Sequence, residues 1–122
     1  MNTLQTVLLV DRDRTWSDCC SRHLSELDFI VICAHSIERG ADKITDPDIS
    51  MVIVDYGLRG VDGINFISSA REPSRLAGPR PSYILTTAVS TLDVAIAAIR
   101  ASVVDLLVKP FTVPELGATL MR

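Results

Sequence analysis

Five short apolar runs, at 7–10, 29–33, 51–54, 83–85 and 103–108, punctuate the chain. Asp105 apart, they are apolar at consecutive positions, the pattern of strands covered on both faces of a parallel sheet. The segments between them carry helical spacing instead. Trp16, Cys20, Leu24 and Leu27 recur at three- and four-residue steps, as do Ile37, Ala41 and Ile44, and again Leu92, Ile96 and Ile99. Ile64 with Ile67 marks a third helix, and Leu116 with Leu120 a fifth. Local signals agree with the period. Thr112-Val113-Pro114-Glu115 is a capping box with proline in the first turn. Ser90 ahead of Asp93 offers a weaker start for the fourth helix. The stretch 72–82, with three prolines and a glycine, predicts an exposed loop.

Strand and helix alternating five times predict an α/β fold: parallel strands joined by right-handed crossovers, with helices on both faces of the sheet. Ligands and chemistry in such sheets sit beyond the carboxyl ends of the strands. Asp11, Arg12 and Asp13 follow the first run, Asp55 the third, Thr86, Thr87 and Ala88 the fourth, and Lys109 and Pro110 the fifth. The pattern therefore gathers carboxylates, hydroxyls and an ammonium at one edge.

Composition narrows the class. The 122 residues suit a single domain spanning 1–122, and 48% hydrophobic residues suffice for a core. A net charge of −3 argues against a chain that coats nucleic acid or anionic lipid, and no direct nucleic-acid contact is expected. The apolar runs fall far short of the roughly 20 residues of a membrane span, so no membrane partner is expected. Neither a secretory signal nor paired cysteine spacing is visible, and Cys19, Cys20 and Cys33 fit reduced thiols in the cytoplasm. Cys19 and His23 have the spacing of a metal pair but lack further ligands, so buried or surface thiols are the expectation. His35, at a strand end, is expected to be exposed, and Trp16 and Phe66 to serve packing. Gly57, Gly60 and Gly63 lie three apart and do not form a phosphate-binding glycine loop.

Four motifs in register at strand ends carry a resemblance. They are Val-Leu-Leu-Val-Asp11, Ile-Val-Asp55-Tyr-Gly-Leu-Arg-Gly-Val-Asp62-Gly63, Ile-Leu-Thr-Thr87-Ala88 and Leu-Val-Lys109-Pro110-Phe111. In order over essentially the whole chain, they resemble the receiver domain of two-component response regulators. The resemblance implies a flavodoxin-like, doubly wound (βα)5 sandwich with a five-stranded parallel sheet. It implies a switch phosphorylated on Asp55 by a sensor histidine kinase or phosphotransfer protein, in the cytoplasm, with no external substrate turned over. It further implies Mg²⁺ held by Asp11, Asp55 and the carbonyl of Gly57, a phosphoryl group met by Thr87, Ala88 and Lys109, and a cis peptide at Pro110 that aims Lys109 inward. Lys109 would pair with Asp55 in the empty site. Asp62-Gly63 would turn the chain into the third helix. An output domain on a longer chain, of which this would be the N-terminal part, is implied as well. DNA binding is one candidate for it, and homodimerisation through the face of the fourth helix, fifth strand and fifth helix is another implied property.

Two positions depart from the family pattern. Receivers place two adjacent acids after the first strand, and here the second is Arg12. The formal charges of Asp11, Asp55, Arg12 and Lys109 cancel, where the usual residues would leave two negative charges, so the pull on a divalent cation is weaker. Either Asp13 leans in as a replacement ligand or Arg12 takes the cation's place; Asp13 is also placed to cap the Trp16 helix. The second departure is Leu106, where many receivers carry a tyrosine or phenylalanine. Two other readings stay open: a degenerate receiver that binds a partner without phosphorylation, and a haloacid-dehalogenase-type phosphatase using Asp11 and Asp13 from the run Asp11-Arg12-Asp13-Arg14-Thr15.

Overall fold

A computed structural model describes residues 4–57, 62–72 and 80–120. Among the described residues strand and helix alternate: β1 Thr6–Val10, α1 Arg14–Glu26, β2 Ile30–Ala34, α2 Ile37–Lys43, β3 Ile49–Asp55, α3 Asp62–Ala70, β4 Ser82–Thr87, α4 Leu92–Arg100, β5 Asp105–Val108 and α5 Val113–Leu120. The strands form one parallel sheet in the order β2-β1-β3-β4-β5. This is the flavodoxin-like doubly wound arrangement, whose strand order reverses between β1 and β3.

The apolar runs are continuous because both faces of the central strands are covered. Val7, Leu9, Ile53 and Ile84 pack with Cys20, Leu24, Leu116 and Leu120 of α1 and α5. Leu8, Val10, Val52, Val54 and Leu85 pack on the other face with Phe66, Ile67, Ala70 and Ala98 of α3 and α4. Every residue of β1 is buried, whereas β2 and β5 at the sheet edges are mostly half-buried. A neighbour on one side only explains their weaker cover.

Helix starts follow side-chain chemistry. Asp13 caps α1, accepting from the Trp16 N–H at 3.0 Å, and Ser36 caps α2. Thr112 accepts from the Glu115 N–H at 3.2 Å, as the capping box predicts. At α4 the cap is Thr91 rather than Ser90: its hydroxyl accepts from the Val94 N–H at 3.3 Å, one residue beyond the start read from sequence. The fifth strand begins at Asp105, because Ser102 takes a left-handed backbone (φ 54°) and the Val103 N–H still bonds back to the Ala98 carbonyl of α4 at 3.3 Å.

The apolar stripe of α4 faces outward. Leu92 and Ile99 are 74% and 77% exposed, while the core face is carried by Val94 and Ala98. Ile96, Val104 and Val108 extend this exposed apolar surface. The side chain of Asp62, Gly60, and residues 73–79 of the expected loop lie outside the described residues. No helix among the described residues is long and apolar enough to cross a membrane.

Candidate functional site

The carboxyl ends of β1, β3, β4 and β5 meet at one rim, stitched by their backbones. The Asp11 N–H donates to the Ala34 carbonyl (3.0 Å), the Tyr56 N–H to Thr86 (2.7 Å) and the Lys109 N–H to Thr87 (2.6 Å). These bonds fix the Cα positions of the residues that carry the chemistry. At the centre, the Lys109 Nζ lies 2.7 Å from Asp11 Oδ2 and 3.8 Å from Asp55 Oδ1. Asp11, Asp55 and Lys109, read from three separate motifs, therefore form one cluster.

The lysine does not divide itself as the resemblance implies. Its short bond goes to Asp11, which is buried, and its contact with Asp55 is the longer one. Asp11 is fully engaged: Oδ1 accepts from the Asp13 N–H at 2.9 Å and Oδ2 from Lys109. Its carbonyl oxygen lies 3.1 Å from His35 Nδ1, so that nitrogen carries the proton. His35 is thus half-buried and bonded, contrary to the exposed position expected, because the β1–β2 pairing carries the strand-end backbone to it.

Asp55 is 15% exposed, and burial pushes its carboxyl above the usual carboxylate range. Lys109 opposes that rise, Asp11 adds to it, and the Gly57 N–H favours the ionised form. The Gly57 N–H lies 3.3 Å from Asp55 Oδ1. Thr86 stands opposite Asp55 in the β3–β4 register and is fully buried. Sequence reading placed Thr86 at the rim but gave the phosphoryl-binding role to Thr87; the period of two in β4 puts Thr86 on the Ile84 side, beside Asp55.

The Thr87 hydroxyl faces its own loop, accepting from the Val89 N–H at 3.0 Å and donating to the Val89 carbonyl at 3.1 Å. Ala88 is exposed beside it. The Lys109–Pro110 peptide is cis. Leu106 is half-buried against the α3–α4 side of the core, opposite Leu85. Gly63 abuts the backbone of Asp55: a Cβ there would lie 2.6 Å from the Asp55 carbonyl oxygen. Only a hydrogen side chain lets α3 approach the rim so closely.

Trp16 is a second position whose role sequence reading understated. The Lys109 Nζ sits 4.5 Å from the centre of its ring, and Phe111 meets the same ring edge-on at 5.6 Å. The signal was present, since the first turn after a cap at Asp13 overhangs the end of β1.

The donor set for a divalent cation is sparse. Asp11 and Asp55 face the same ammonium, and Gly57 lies in van der Waals reach of the Asp55 carboxylate. Two carboxylates with waters and phosphate oxygens are an ordinary Mg²⁺ set, so these residues fit the ion. They do so with little charge to spare. Asp13 spends its carboxylate on the α1 cap, Arg12 is exposed, and no group of three or more His, Cys, Asp or Glu among the described residues could hold a metal. That same cap leaves Asp13 poorly placed as the general acid of a phosphatase. Cys19 is exposed, Cys20 buried and Cys33 half-buried, all as free thiols.

Comparison with known proteins agrees with this geometry. The family model described as the response regulator receiver domain matches residues 7–121. The chain is 30% identical over 119 residues to the probable transcriptional regulatory protein SilR of Salmonella typhimurium, covering 95% of this chain and 50% of that protein. It is 28% identical over 114 residues to the transcriptional regulatory protein QseB of Escherichia coli O157:H7, covering 93% and 50%. The chain thus spans about half the length of these curated relatives. A crystal structure of a response regulator from Thermotoga maritima superposes with a TM-score of 0.85 at 25% identity, covering 98% of this chain and 96% of that one. With a matched model over nearly its whole length and an acidic rim at the expected strand ends, the chain belongs to the receiver-domain family of two-component response regulators.

Proposed function

We propose that Asp55 is the phosphoacceptor of this receiver and that its phosphorylation, by a sensor histidine kinase or phosphotransfer protein, throws a two-state switch. The observation that carries the reading is the convergence of the Asp11 and Asp55 carboxylates within 3.8 Å of the Lys109 ammonium at the β1/β3 switch point. In the reaction a carboxylate oxygen of Asp55 bonds to phosphorus, the bond from phosphorus to the donor breaks, and the donor leaves with the electron pair. The obstacle is repulsion between the carboxylate and the phosphoryl oxygens, so positive charge must already be in place. Lys109 supplies one such charge. Asp11, Asp55 and the Gly57 carbonyl are the groups that would hold Mg²⁺, which neutralises phosphoryl oxygens when bound. With Arg12 replacing an acid, labelling needs more Mg²⁺ than a site with three carboxylates would.

Receiver domains are regulatory phosphoacceptors rather than enzymes with an external substrate. We infer self-catalysed phosphorylation from small phosphodonors and slow self-hydrolysis here. For the switch to act, Thr87 must exchange its Val89 bonds for the phosphoryl group, with the Ala88 N–H beside it. A new charge that is bound better by one of two conformations shifts the population toward it. The exposed Leu92, Ile96, Ile99, Val104 and Val108 support α4–β5–α5 as the output face, for a second copy or for an attached domain. We place this receiver in a longer chain in the cytoplasm, regulating transcription as the names of the curated relatives indicate.

Labelling with acetyl phosphate, read by intact-protein mass spectrometry, tests the proposal. Wild-type protein gains one phosphoryl group in a Mg²⁺-dependent way and Asp55→Asn gains none. Unlabelled wild type at saturating Mg²⁺ would favour a phosphorylation-independent receiver, the reading that Arg12 and Leu106 support.

A further inference from the structure

We propose that Trp16 is a positioning residue for Lys109, its indole face holding the ammonium at the rim from the α1 side. The inference rests on the phosphoacceptor reading above and deepens it. Three groups surround the Lys109 Nζ: Asp11 Oδ2 at 2.7 Å, Asp55 Oδ1 at 3.8 Å and the Trp16 ring centre at 4.5 Å. Two of these are anions that repel an incoming phosphoryl group. The third attracts a cation through the negative face of its π system and carries no net charge. The indole therefore fixes the lysine without adding to the repulsion the lysine must overcome.

Trp16 is itself braced. Its backbone N–H donates to Asp13 Oδ1, and the Asp13 N–H donates to Asp11 Oδ1, so the ring stands on the same loop that holds Asp11. Phe111, two residues beyond Lys109, meets the ring at an interplanar angle of 87°. The aromatic pair thus ties the start of α1 to the β5–α5 loop beside the ammonium. A lysine loses four rotatable bonds' worth of freedom when fixed, and a preset position lowers what phosphorylation must supply. Because that position leans on α1 and Asp11 more than on Asp55, it persists when Asp55 changes its charge. Replacing the second acid by Arg12 removes one anchor for a cation at this rim, and Trp16 provides another.

The test compares Trp16→Phe, Trp16→Leu, Lys109→Met and Trp16→Leu/Lys109→Met for beryllofluoride binding, a phosphoryl mimic, at saturating Mg²⁺. Trp16→Leu weakens binding about three- to tenfold, and Trp16→Phe, which keeps a π face, stays within about twofold. In the Lys109→Met background Trp16→Leu has no further effect. Equal binding by wild type and Trp16→Leu, equal loss in Trp16→Phe, or a loss that persists without the lysine would overturn the proposal. Should wild type bind no beryllofluoride and take no phosphate, the phosphoacceptor reading fails separately. The position of the lysine is then decided by NMR: its side-chain methylene protons are shifted upfield by the ring in wild type and return to ordinary values in Trp16→Leu. Unshifted methylenes in wild type would refute the contact itself.

Discussion

Removing Lys109 should cost far more stability than removing its closest partner. At an effective dielectric of about 20, the gross attraction is about 6 kcal/mol for the 2.7 Å contact to Asp11 and about 4 kcal/mol for the 3.8 Å contact to Asp55. Desolvation of the charges offsets much of both, so the net effect depends on what each substitution strands. Lys109→Met leaves the buried Asp11 and the 15%-exposed Asp55 facing each other without their cation. Breaking a buried pair this way costs about 3–5 kcal/mol, and the partial exposure of Asp55 places the expected loss near the lower end. Asp11→Asn leaves the lysine with Asp55 and the Trp16 face, and about 1–2 kcal/mol is expected. The double variant should recover part of the Lys109→Met loss, since the more deeply buried stranded charge is gone. Urea unfolding of the four proteins at neutral pH gives these values and the coupling energy between the two positions. The Lys109→Met deficit should shrink on acidification, because protonation relieves carboxylates left without a cation. Asp11→Asn costing as much as Lys109→Met, or no coupling between Lys109 and Asp11, would refute the assignment of the lysine.

Asp55→Asn should raise the melting temperature at neutral pH. A carboxyl raised by burial destabilises the fold when ionised, so stability increases as pH falls through its folded pKa, and the advantage of asparagine shrinks in the same range; a thermal melt that shows Asp55→Asn less stable throughout contradicts this. Gly63→Ala should lose about 1–3 kcal/mol in urea unfolding, despite alanine's better helix propensity, because the new methyl meets backbone at 2.6 Å and not a movable side chain. Iodoacetamide at neutral pH should modify exposed Cys19 and leave Cys20 intact, since burial pushes the Cys20 thiol up to about 12; peptide mapping that finds Cys20 modified in the folded protein would count against its placement.

The fold was readable because each core strand is apolar on both faces and α1, α2, α4 and α5 each start at a side-chain cap. Val7 to Val10 alternate between the two helical layers, so a run that looks unpatterned is two patterns interleaved. Exposure on α4 was not readable. Leu92, Ile96 and Ile99 have the spacing of a core stripe, yet the small residues Val94 and Ala98 face the sheet. Spacing identifies a face but not the side on which it is covered. The rim followed from strand ends alone, which placed Asp11, Asp55 and Lys109 together across a separation of 98 residues. The sharing of Lys109, 2.7 Å from Asp11 and 3.8 Å from Asp55, did not follow, because it depends on where the ammonium settles beside the Trp16 ring. Thr87 shows a related limit: its hydroxyl is placed by sequence, but its engagement with Val89 belongs to the loop conformation.

Borohydride reduction of the acetyl-phosphate-treated protein tests the central claim most directly. An aspartyl phosphate is reduced at its acyl carbon to homoserine, and tandem mass spectrometry then identifies which residue carried the phosphoryl group. The account predicts homoserine at position 55 and at no other aspartate. Homoserine at position 11 or 13, or none at any position in a protein shown to be folded, would contradict it.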